Sequence, residues 1–423
     1  MSTDLSLAFA LLLAAHLVLR LWLSVRQMRH VARHADAVPA EFAEAIPLAD
    51  HHKAALYTIA KQRLGMQETL VGAALFVALT WGGGLQWLAL QAAALAGNGL
   101  GAQLLLLAMV FGLLGLIELP IDYWRQFGLE ARFGFNRMSP ALFFADALKS
   151  LLVGVVLGLP LVLLVLSLMR HAGTYWWVLA WLGWAAFSLT LSVAYPALIA
   201  PLFNRFTPLG EGPLRERIGA LLTRTGFRSS GVYTMDGSRR SSHGNAYFTG
   251  MGAAKRIVFF DTLVARLQLD EIEAVLAHEL GHFRLHHIRA RIVGSLLLAL
   301  GWLAVLGWLC TQDWFAASLG VHAAPGMPEQ ALALVLFALV MPLFTFLFAP
   351  LQSAYSRRHE FQADAFAAQH SSAASLVRAL VKLYHDNAAT LTPDPLHSAF
   401  HDSHPPASIR IARLRGLAGS ANA

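Results

Sequence analysis

The chain has 423 residues, of which 57% are hydrophobic and only 13% are charged, and its formal net charge is +7. Charged residues make up about a quarter of a typical soluble protein, so the composition excludes an ordinary soluble enzyme and indicates a polytopic membrane protein. The sole cysteine, Cys310, excludes an internal disulfide and a cysteine-based metal site. Basic residues that orient membrane helices account for the positive charge, and we expect no nucleic acid as a partner.

Charge-poor stretches near the ~20-residue crossing length predict seven transmembrane helices in contact with membrane lipid. In chain order they are Leu5–Leu23, Leu70–Leu90, Leu104–Leu119, Leu151–Leu168, Tyr175–Ala200, Ile292–Cys310 and Ala331–Phe348. The first resembles a signal peptide in its apolar core. It has no basic start and no small-residue cleavage site, so we interpret it as a spanning helix.

Basic residues between the predicted spans indicate an orientation. They are frequent in the connections after the first and third spans, whereas the loops around Gly97–Gly101 and Gln312–Glu329 contain no lysine or arginine. The positive-inside rule then places the amino terminus outside and the carboxyl terminus in the cytoplasm. All but five of the 32 basic residues are arginines, which is typical of GC-rich bacterial genomes and favours a bacterial inner membrane.

The spans divide the chain into four segments. Residues 1–200 hold five transmembrane helices with cytoplasmic loops, and residues 290–355 hold the sixth and seventh. Residues 201–289 and 356–423 are polar and lie in the cytoplasm in this topology. A catalytic site in contact with the aqueous phase is therefore expected in these two segments.

The first polar segment is predicted to be of mixed structure. Short runs rich in Val, Ile, Tyr and Phe predict three strands: Gly231–Met235, Asn245–Thr249 and Arg256–Asp261. A helix follows, with Asp270 at its N-cap and Glu273 as the capping-box partner, and we expect it to continue toward His287. A strand beside this helix would offer an extended peptide an edge to pair with.

That helix carries a HExxH motif at His278–His282. Histidines four residues apart project from one helical face, so both can bind one Zn²⁺ while Glu279 takes a proton from the zinc-bound water. An intramembrane protease with HExxH inside a span is an alternative. It is disfavoured because the helix begins with the acidic residues Asp270, Glu271 and Glu273, which are too polar for the bilayer core.

A catalytic zinc needs a third protein ligand. The candidates are His286, His287, Glu360, Asp364 and His404. His286 lies ~12 Å along the helix axis from the level of His278, too far for both to bind one tetrahedral ion. The metzincin pattern fails as well, because Leu285 and Ile288 stand where it requires glycine and histidine.

Glu360 and Asp364 share one face of a predicted helix over Ser356–Ala367. One carboxylate can bind zinc while the other holds the outer nitrogen of a ligand histidine. The alternative is a solvated acidic face neutralised by Arg357 and Arg358. Spacing alone leaves both possibilities open.

The HExxH motif together with Glu360-x-x-Ala363-Asp364 resembles the signature of the integral-membrane CAAX prenyl proteases of the zinc metalloendopeptidase type. Further matches extend over most of the chain: Phe133–Asn136, Ala200–Asn204, Asn245–Phe248, Arg256–Leu263 and His404–Pro406. The resemblance implies about seven transmembrane helices and a cytoplasmic zincin-like α+β catalytic domain formed by residues 201–289 and 356–423.

The resemblance also implies residue roles. One Zn²⁺ per chain would be bound by His278, His282 and Glu360. Glu279 would be the general base and acid, and Asp364 would orient a ligand histidine.

Substrate contacts follow from the same resemblance. The edge strand that aligns the substrate backbone would consist of Asn245, Ala246, Tyr247 and Phe248. His404 and Arg410 would reach the site and stabilise the oxyanion, although a histidine before two prolines is also typical of a turn.

The predicted function is hydrolysis of a peptide or protein substrate by a membrane zinc metalloendopeptidase. The resemblance implies that the substrate is a prenylated CAAX protein or peptide that loses its carboxyl-terminal residues. A bacterial source would make membrane-protein quality control equally plausible. A transporter or channel is a further alternative, but internal repeats and paired broken helices, which are frequent in transporters, are absent from the sequence.

Overall fold

The computed structural model describes residues 2–249, 255–322 and 324–421. Positions 1, 250–254, 323, 422 and 423 of the four predicted segments lie outside the described residues. The first half contains the helices α1 Ser2–Arg33, α2 Leu48–Leu79, α3 Gly84–Ala96, α4 Leu100–Trp124, α5 Ala131–Phe133, α6 Pro140–His171, α7 Trp176–Ala194 and α8 Ala200–Phe203. The second half contains α9 Pro213–Thr225, α10 Asp261–Val264, α11 Leu269–Arg284, α12 His287–Leu309, α13 Asp313–Ser318, α14 Glu329–Thr345, α15 Ala349–His370, α16 Ala373–Asp386, α17 Pro395–His401 and α18 Ala407–Ala421.

The membrane part agrees with the predicted number of spans. Among the described residues, six helical stretches are long and apolar enough to cross a membrane, or seven if α2 and α3 together form one span. Several of them extend well beyond the predicted apolar windows. The last, over Glu329–His370, is 42 residues long, so much of it lies outside a bilayer whose hydrocarbon core is ~30 Å thick.

The second predicted span, Leu70–Leu90, consists of two helices bent by 57°. Gly83, at the break, has a φ of +75°. A Cβ atom on Gly82 or Gly84 would lie 2.8 or 2.7 Å from the carbonyl oxygen of Ala78. The chain bends where glycine alone fits, a constraint that a count of apolar residues does not register.

A four-stranded mixed sheet follows the fifth stretch of membrane helix. Its strands are β1 Phe206–Pro208, β2 Gly231–Met235, β3 Ala246–Thr249 and β4 Arg256–Phe260, in the order β1-β2-β4-β3. β2 and β4 are parallel and the other pairs are antiparallel. The three predicted strands are present, two of them one residue shorter. The sequence pattern misses β1, because three residues ending in proline carry almost no strand signal.

β3 is an edge strand whose outer side is unpaired among the described residues. Phe260 donates its backbone N–H to Asn245 O at 3.0 Å, which sets the phase of the antiparallel ladder. The backbone groups of Tyr247 therefore face β4, and those of Ala246 and Phe248 face outward. Since the N–H of Ala246 donates to Asn245 Oδ1, the outward Ala246 carbonyl and both Phe248 groups are the ones that an added strand could use.

The N-cap of α11 differs from the prediction. It is Gln268, which forms a reciprocal capping box with Glu271. The prediction of Asp270 and Glu273 for these roles is wrong by two residues. Asp270 instead accepts a hydrogen bond from Ser375 on α16 at 2.7 Å, and Glu273 pairs with two arginines of α9. Both carboxylates are thus used to hold neighbouring helices, which the local pattern cannot reveal.

α11 also ends earlier than predicted, at Arg284. His286 has a φ of +60° and is the N-cap of α12, which begins at His287. A left-handed residue cannot continue a right-handed helix. The chain therefore turns between the helix that bears the HExxH motif and the sixth span.

Close packing joins α11 to α15. At Gly281, the fourth residue of the HExxH motif, an added Cβ would lie 3.0 Å from Ala363 Cα and 3.2 Å from Phe366 Cβ. Ala363 and its neighbour one turn on, Ala367, are fully buried. Small residues on both helices therefore let the two backbones approach closely.

We predict that Gly281→Ala destabilises the protein and weakens metal binding, because the added methyl group forces α11 and α15 apart. Overpacking of this kind costs about 1–3 kcal/mol. Thermal unfolding of the detergent-solubilised chain and its metal content after dialysis are the measurements. Gly219→Ala on α9, where nothing lies within 4 Å of an added Cβ, is the control and should leave both unchanged. Wild-type stability and metal content in Gly281→Ala would contradict the packing argument.

Candidate metal centre

His278 and His282 lie one turn apart on α11, with their rings facing the same side. Their Nε2 atoms are 3.3 Å apart, and the ring planes meet at 82°. The apolar face of α11 holds the helix in place, because Leu276 and Leu280 are buried in a hydrophobic core together with residues of α9, β4 and α16. The i, i+4 spacing thus places two nitrogen ligands toward one point, as the sequence indicates.

Glu360, on α15, completes a cluster of three possible metal ligands. Its Oε1 atom is 3.3 Å from His282 Nε2 and its Oε2 atom is 3.5 Å from His278 Nε2. All three ligand atoms lie within 4.8 Å of one another. Glu360 is 5% exposed, and Arg357 donates to backbone carbonyls of α17 and the residue that follows it. The alternative of a solvated acidic face is therefore inconsistent with the structure.

The three residues fit a metal ion. Glu360 Oε2 is buried without a hydrogen-bond partner among the described residues, and His404 Nδ1 forms an ion-pair contact with it at 2.7 Å. A buried, unsatisfied carboxylate oxygen is costly unless a cation binds it. Two imidazole nitrogens and one carboxylate oxygen are donors typical of a catalytic zinc site with one open position.

Asp364 lies behind His278. Its Oδ1 atom is 2.9 Å from His278 Nδ1, and it accepts two hydrogen bonds of 2.7 Å from Arg410. A carboxylate on the outer nitrogen fixes the ring and leaves the inner nitrogen free to bind a metal. Asp364 is in the predicted place, one turn after Glu360 on α15.

The surroundings of His278 also change its pKa. Burial and the positive charge of Arg410 lower the pKa of His278, but the neighbouring carboxylates of Asp364 and Glu360 outweigh them and raise it to about 9. The metal-free imidazole therefore carries a proton near neutral pH. A bound metal would replace this proton as the positive charge between the two carboxylates.

Arg410 is 5% exposed and its guanidinium lies within the protein. Besides Asp364, it contacts His278 Nδ1 at 3.1 Å and approaches Glu360 Oε2 to 3.7 Å. Its single positive charge compensates one of the two carboxylates. Its Nε and Nη2 atoms are both engaged with Asp364, so an oxyanion contact, as the resemblance implies, would fall to its remaining N–H groups.

His404 precedes α18 and its imidazole is at the open side of the site, 64% exposed. The following Pro405 is buried. The segment is therefore a turn, and it also places His404 beside Glu360.

Glu279 is half-buried and has no hydrogen bond or ion pair with the residues that the structure describes. Its carboxylate is therefore available to a substrate or water.

A cavity of about 750 Å³ leads up to the site. Asn245, which directly precedes the edge strand β3, and His404 are part of its wall, together with Tyr384 and Lys61. The open side of the site at His404 and the residue that leads into β3 thus border one cavity.

Sequence reasoning missed the partners of His282. His287 was a candidate ligand in the sequence. Its Nδ1 atom instead lies 3.1 Å from His282 Nδ1, on the side of the ring away from the metal position. Its other nitrogen, Nε2, lies 2.9 Å from Gln362 Oε1. The break at His286 interrupts the helix here, so helical periodicity could not have revealed the contact.

Known proteins resemble this chain over most of its length. Residues 27–205 match the family described as CAAX prenyl protease N-terminal, five membrane helices, and residues 208–418 match peptidase family M48. The CAAX prenyl protease 1 homolog of Arabidopsis thaliana is 38% identical over 306 residues, which cover 72% of this chain and 70% of the relative. The chain belongs to the CAAX prenyl protease family of M48 peptidases.

Two further relatives support membership of this family. CAAX prenyl protease 1 of Saccharomyces cerevisiae is 36% identical over 326 residues, 74% of this chain and 72% of the relative. The crystal structure of S. mikatae Ste24p superposes with a TM-score of 0.90 at 29% identity, covering 97% of this chain and 99% of that one.

Membership confirms the predicted resemblance, the polytopic fold with a mixed-sheet catalytic domain, and the predicted class of a membrane zinc metalloprotease of the CAAX protease type. It implies a metal cofactor and a peptide or protein substrate. The transporter or channel alternative is therefore excluded.

We predict that Asp364→Asn weakens metal binding by about 10–100-fold, the usual effect of losing a partner of a metal-ligating histidine. The amide keeps the size of Asp364 but no longer compensates Arg410 or draws the proton of His278 Nδ1. Competition titration with a chromophoric chelator measures the affinity. Asp386→Asn, which removes a carboxylate that pairs with Arg266, is the control; equal affinities in the two variants would refute the assignment.

Proposed function

We propose that this chain is an endopeptidase that binds one Zn²⁺ through His278, His282 and Glu360. The observation that carries the proposal is the buried cluster of two imidazole nitrogens and one carboxylate oxygen within 4.8 Å. This donor set favours zinc over calcium or magnesium, which prefer oxygen ligands. When bound, zinc acts as a Lewis acid toward a water molecule and the substrate carbonyl oxygen.

Glu279 is the proposed general base and acid. It accepts a proton from the attacking water as the water oxygen bonds to the scissile carbonyl carbon. It then delivers that proton to the amine nitrogen as the C–N bond breaks. This assignment is supported by the position of Glu279 next to His278 and by its free carboxylate.

His404 and Arg410 receive different roles in this proposal. The exposed imidazole of His404 would donate a hydrogen bond to the carbonyl oxygen as negative charge develops there. The buried guanidinium of Arg410 would act through Asp364 and His278, which it contacts at 2.7 and 3.1 Å. Arg410 is thus a positioning residue.

We propose that the substrate adds a strand to β3. The outward carbonyl of Ala246 and the backbone groups of Phe248 would pair with it. The side chain of Asn245 would hold the backbone at the start of β3, because its Oδ1 atom accepts the hydrogen bond of the Ala246 N–H. Tyr247 has its backbone directed toward β4 and would contribute through its side chain.

The proposed substrates are prenylated CAAX proteins or peptides, cleaved near the carboxyl terminus. The names of the relatives support this choice, and the cavity of about 750 Å³ has room for a short peptide segment. Quality control of membrane proteins is a second candidate, supported by the arginine-rich composition that indicates a bacterial source. Membrane lipid surrounds the spans in either case, and nucleic acid has no role.

For the location we propose a bacterial inner membrane with the amino terminus outside and the carboxyl terminus in the cytoplasm. The basic connections after the first and third spans support this orientation. In this arrangement residues 201–289 and 356–423 form the cytoplasmic catalytic part, and residues 1–200 and 290–355 form the membrane part.

We predict that Glu279→Gln lowers the rate of peptide cleavage by about 10²–10⁴-fold, while zinc stays bound. The amide cannot accept the proton from water, and it is no metal ligand. Turnover of a quenched peptide and zinc content per chain are measured in parallel. Glu216→Gln on α9 is the control for loss of one carboxylate, and full activity in Glu279→Gln would show that the mechanism is wrong.

A chelator should abolish cleavage, and added Zn²⁺ should restore it. Under these conditions we expect a farnesylated CAAX peptide to be cleaved faster than its unprenylated twin, because the lipid adds apolar contact area. A misfolded membrane protein is the third substrate. Faster cleavage of that protein than of either peptide would favour quality control over the CAAX activity.

A further inference from the structure

We infer that His287 and Gln362 form a hydrogen-bond chain that holds His282 in its metal-binding tautomer, which makes His287 a positioning residue of the site. The inference rests on the proposed zinc site. It concerns His282, whereas the known pattern of a carboxylate behind a ligand is already satisfied at His278 by Asp364.

The contacts determine where each proton lies. His282 can bind a metal through Nε2 only when that atom carries no proton, so its Nδ1 atom is the protonated one. This N–H needs an acceptor, and His287 Nδ1 lies 3.1 Å away. His287 Nδ1 must then be unprotonated, which leaves the proton of a neutral His287 on Nε2.

Gln362 completes the chain. His287 Nε2 is 2.9 Å from Gln362 Oε1, an oxygen that can only accept a hydrogen bond. The three side chains therefore point their donors in one direction, from His282 through His287 to Gln362. Any reversal of this direction would place a proton on the metal-binding nitrogen of His282.

Packing keeps His287 in place. It is 3% exposed, and its ring stacks on that of His359 with centroids 4.0 Å apart and planes within 6°. His287 is the first residue of α12, the sixth span, and Gln362 lies on α15 two residues after the ligand Glu360. α15 thus supplies one metal ligand, the partner of the first histidine and the end of the chain behind the second.

The test compares two substitutions whose side chains have the same number of heavy atoms and the same branching at Cγ, in the detergent-solubilised full chain. His287→Asn keeps an acceptor oxygen near the position of Nδ1, and His287→Leu removes every acceptor. We expect zinc release to a chelator to be about 10–100-fold faster in His287→Leu than in the wild type, and within threefold of the wild type in His287→Asn. The absorption spectrum of the Co²⁺-loaded protein should change with the Leu variant only.

His370→Leu is the control, because it removes a histidine ring of α15 that stacks on Phe366 and has no contact with the hydrogen-bond chain. It should release zinc at the wild-type rate. Equal effects of the Asn and Leu variants, or no effect of either, would overturn the inference. A wild-type chain that binds no zinc would instead refute the proposed function.

A second pair decides the matter if variants at His287 do not fold. Gln362 is exposed, so substitutions there are tolerated by the fold. Gln362→Glu can only accept a hydrogen bond and should retain zinc. Gln362→Lys can only donate, opposes the required direction and should release zinc faster, even at high salt where the added charge is screened. Identical release from both variants contradicts the chain.

Discussion

The contact between α11 and α15 is the constraint on which the rest of the site depends. Two of the candidate ligands lie on α11 and the third on α15, so their distance is set by how closely the two helices approach. Gly281 and Ala363 allow that approach, since a Cβ on Gly281 would be only 3.0 Å from Ala363 Cα. The small residue inside the HExxH motif is therefore as necessary to the geometry as the histidines, because interiors are packed too tightly to absorb an extra methyl group.

The same contact concentrates charge where water is scarce. Glu360 and Asp364 are 5% and 1% exposed, and buried carboxylates are unfavourable unless they are paired. Arg410 compensates one negative charge. The second is balanced by the proton on His278 in the metal-free protein and by the metal in the loaded one. Charge balance thus favours binding of a cation at this point, independently of the ligand geometry.

Prediction from the sequence succeeds where the information is local. The HExxH motif is read from one helical turn, and three of the four strands of the sheet follow from short apolar runs. Glu360 required the family resemblance, because 78 residues separate it from His282 and spacing alone left a solvated face as an alternative. His287 and the Gln268 cap were missed for different reasons. The contact of His287 depends on a helix break that periodicity does not indicate, and glutamine is not among the residues preferred at an N-cap.

The helices that bear the metal ligands are direct continuations of membrane spans. α15 follows α14 within one helical stretch of 42 residues, which at 1.5 Å per residue reaches ~63 Å, about twice the hydrocarbon thickness. α11 joins α12 at the single left-handed residue His286. Leu306 of α12 and Phe337 of α14 belong to one apolar cluster. Since His287 begins α12 and Gln362 lies on α15, the hydrogen-bond chain behind His282 also bridges the two spans, so a shift between them would be felt at the metal ligands.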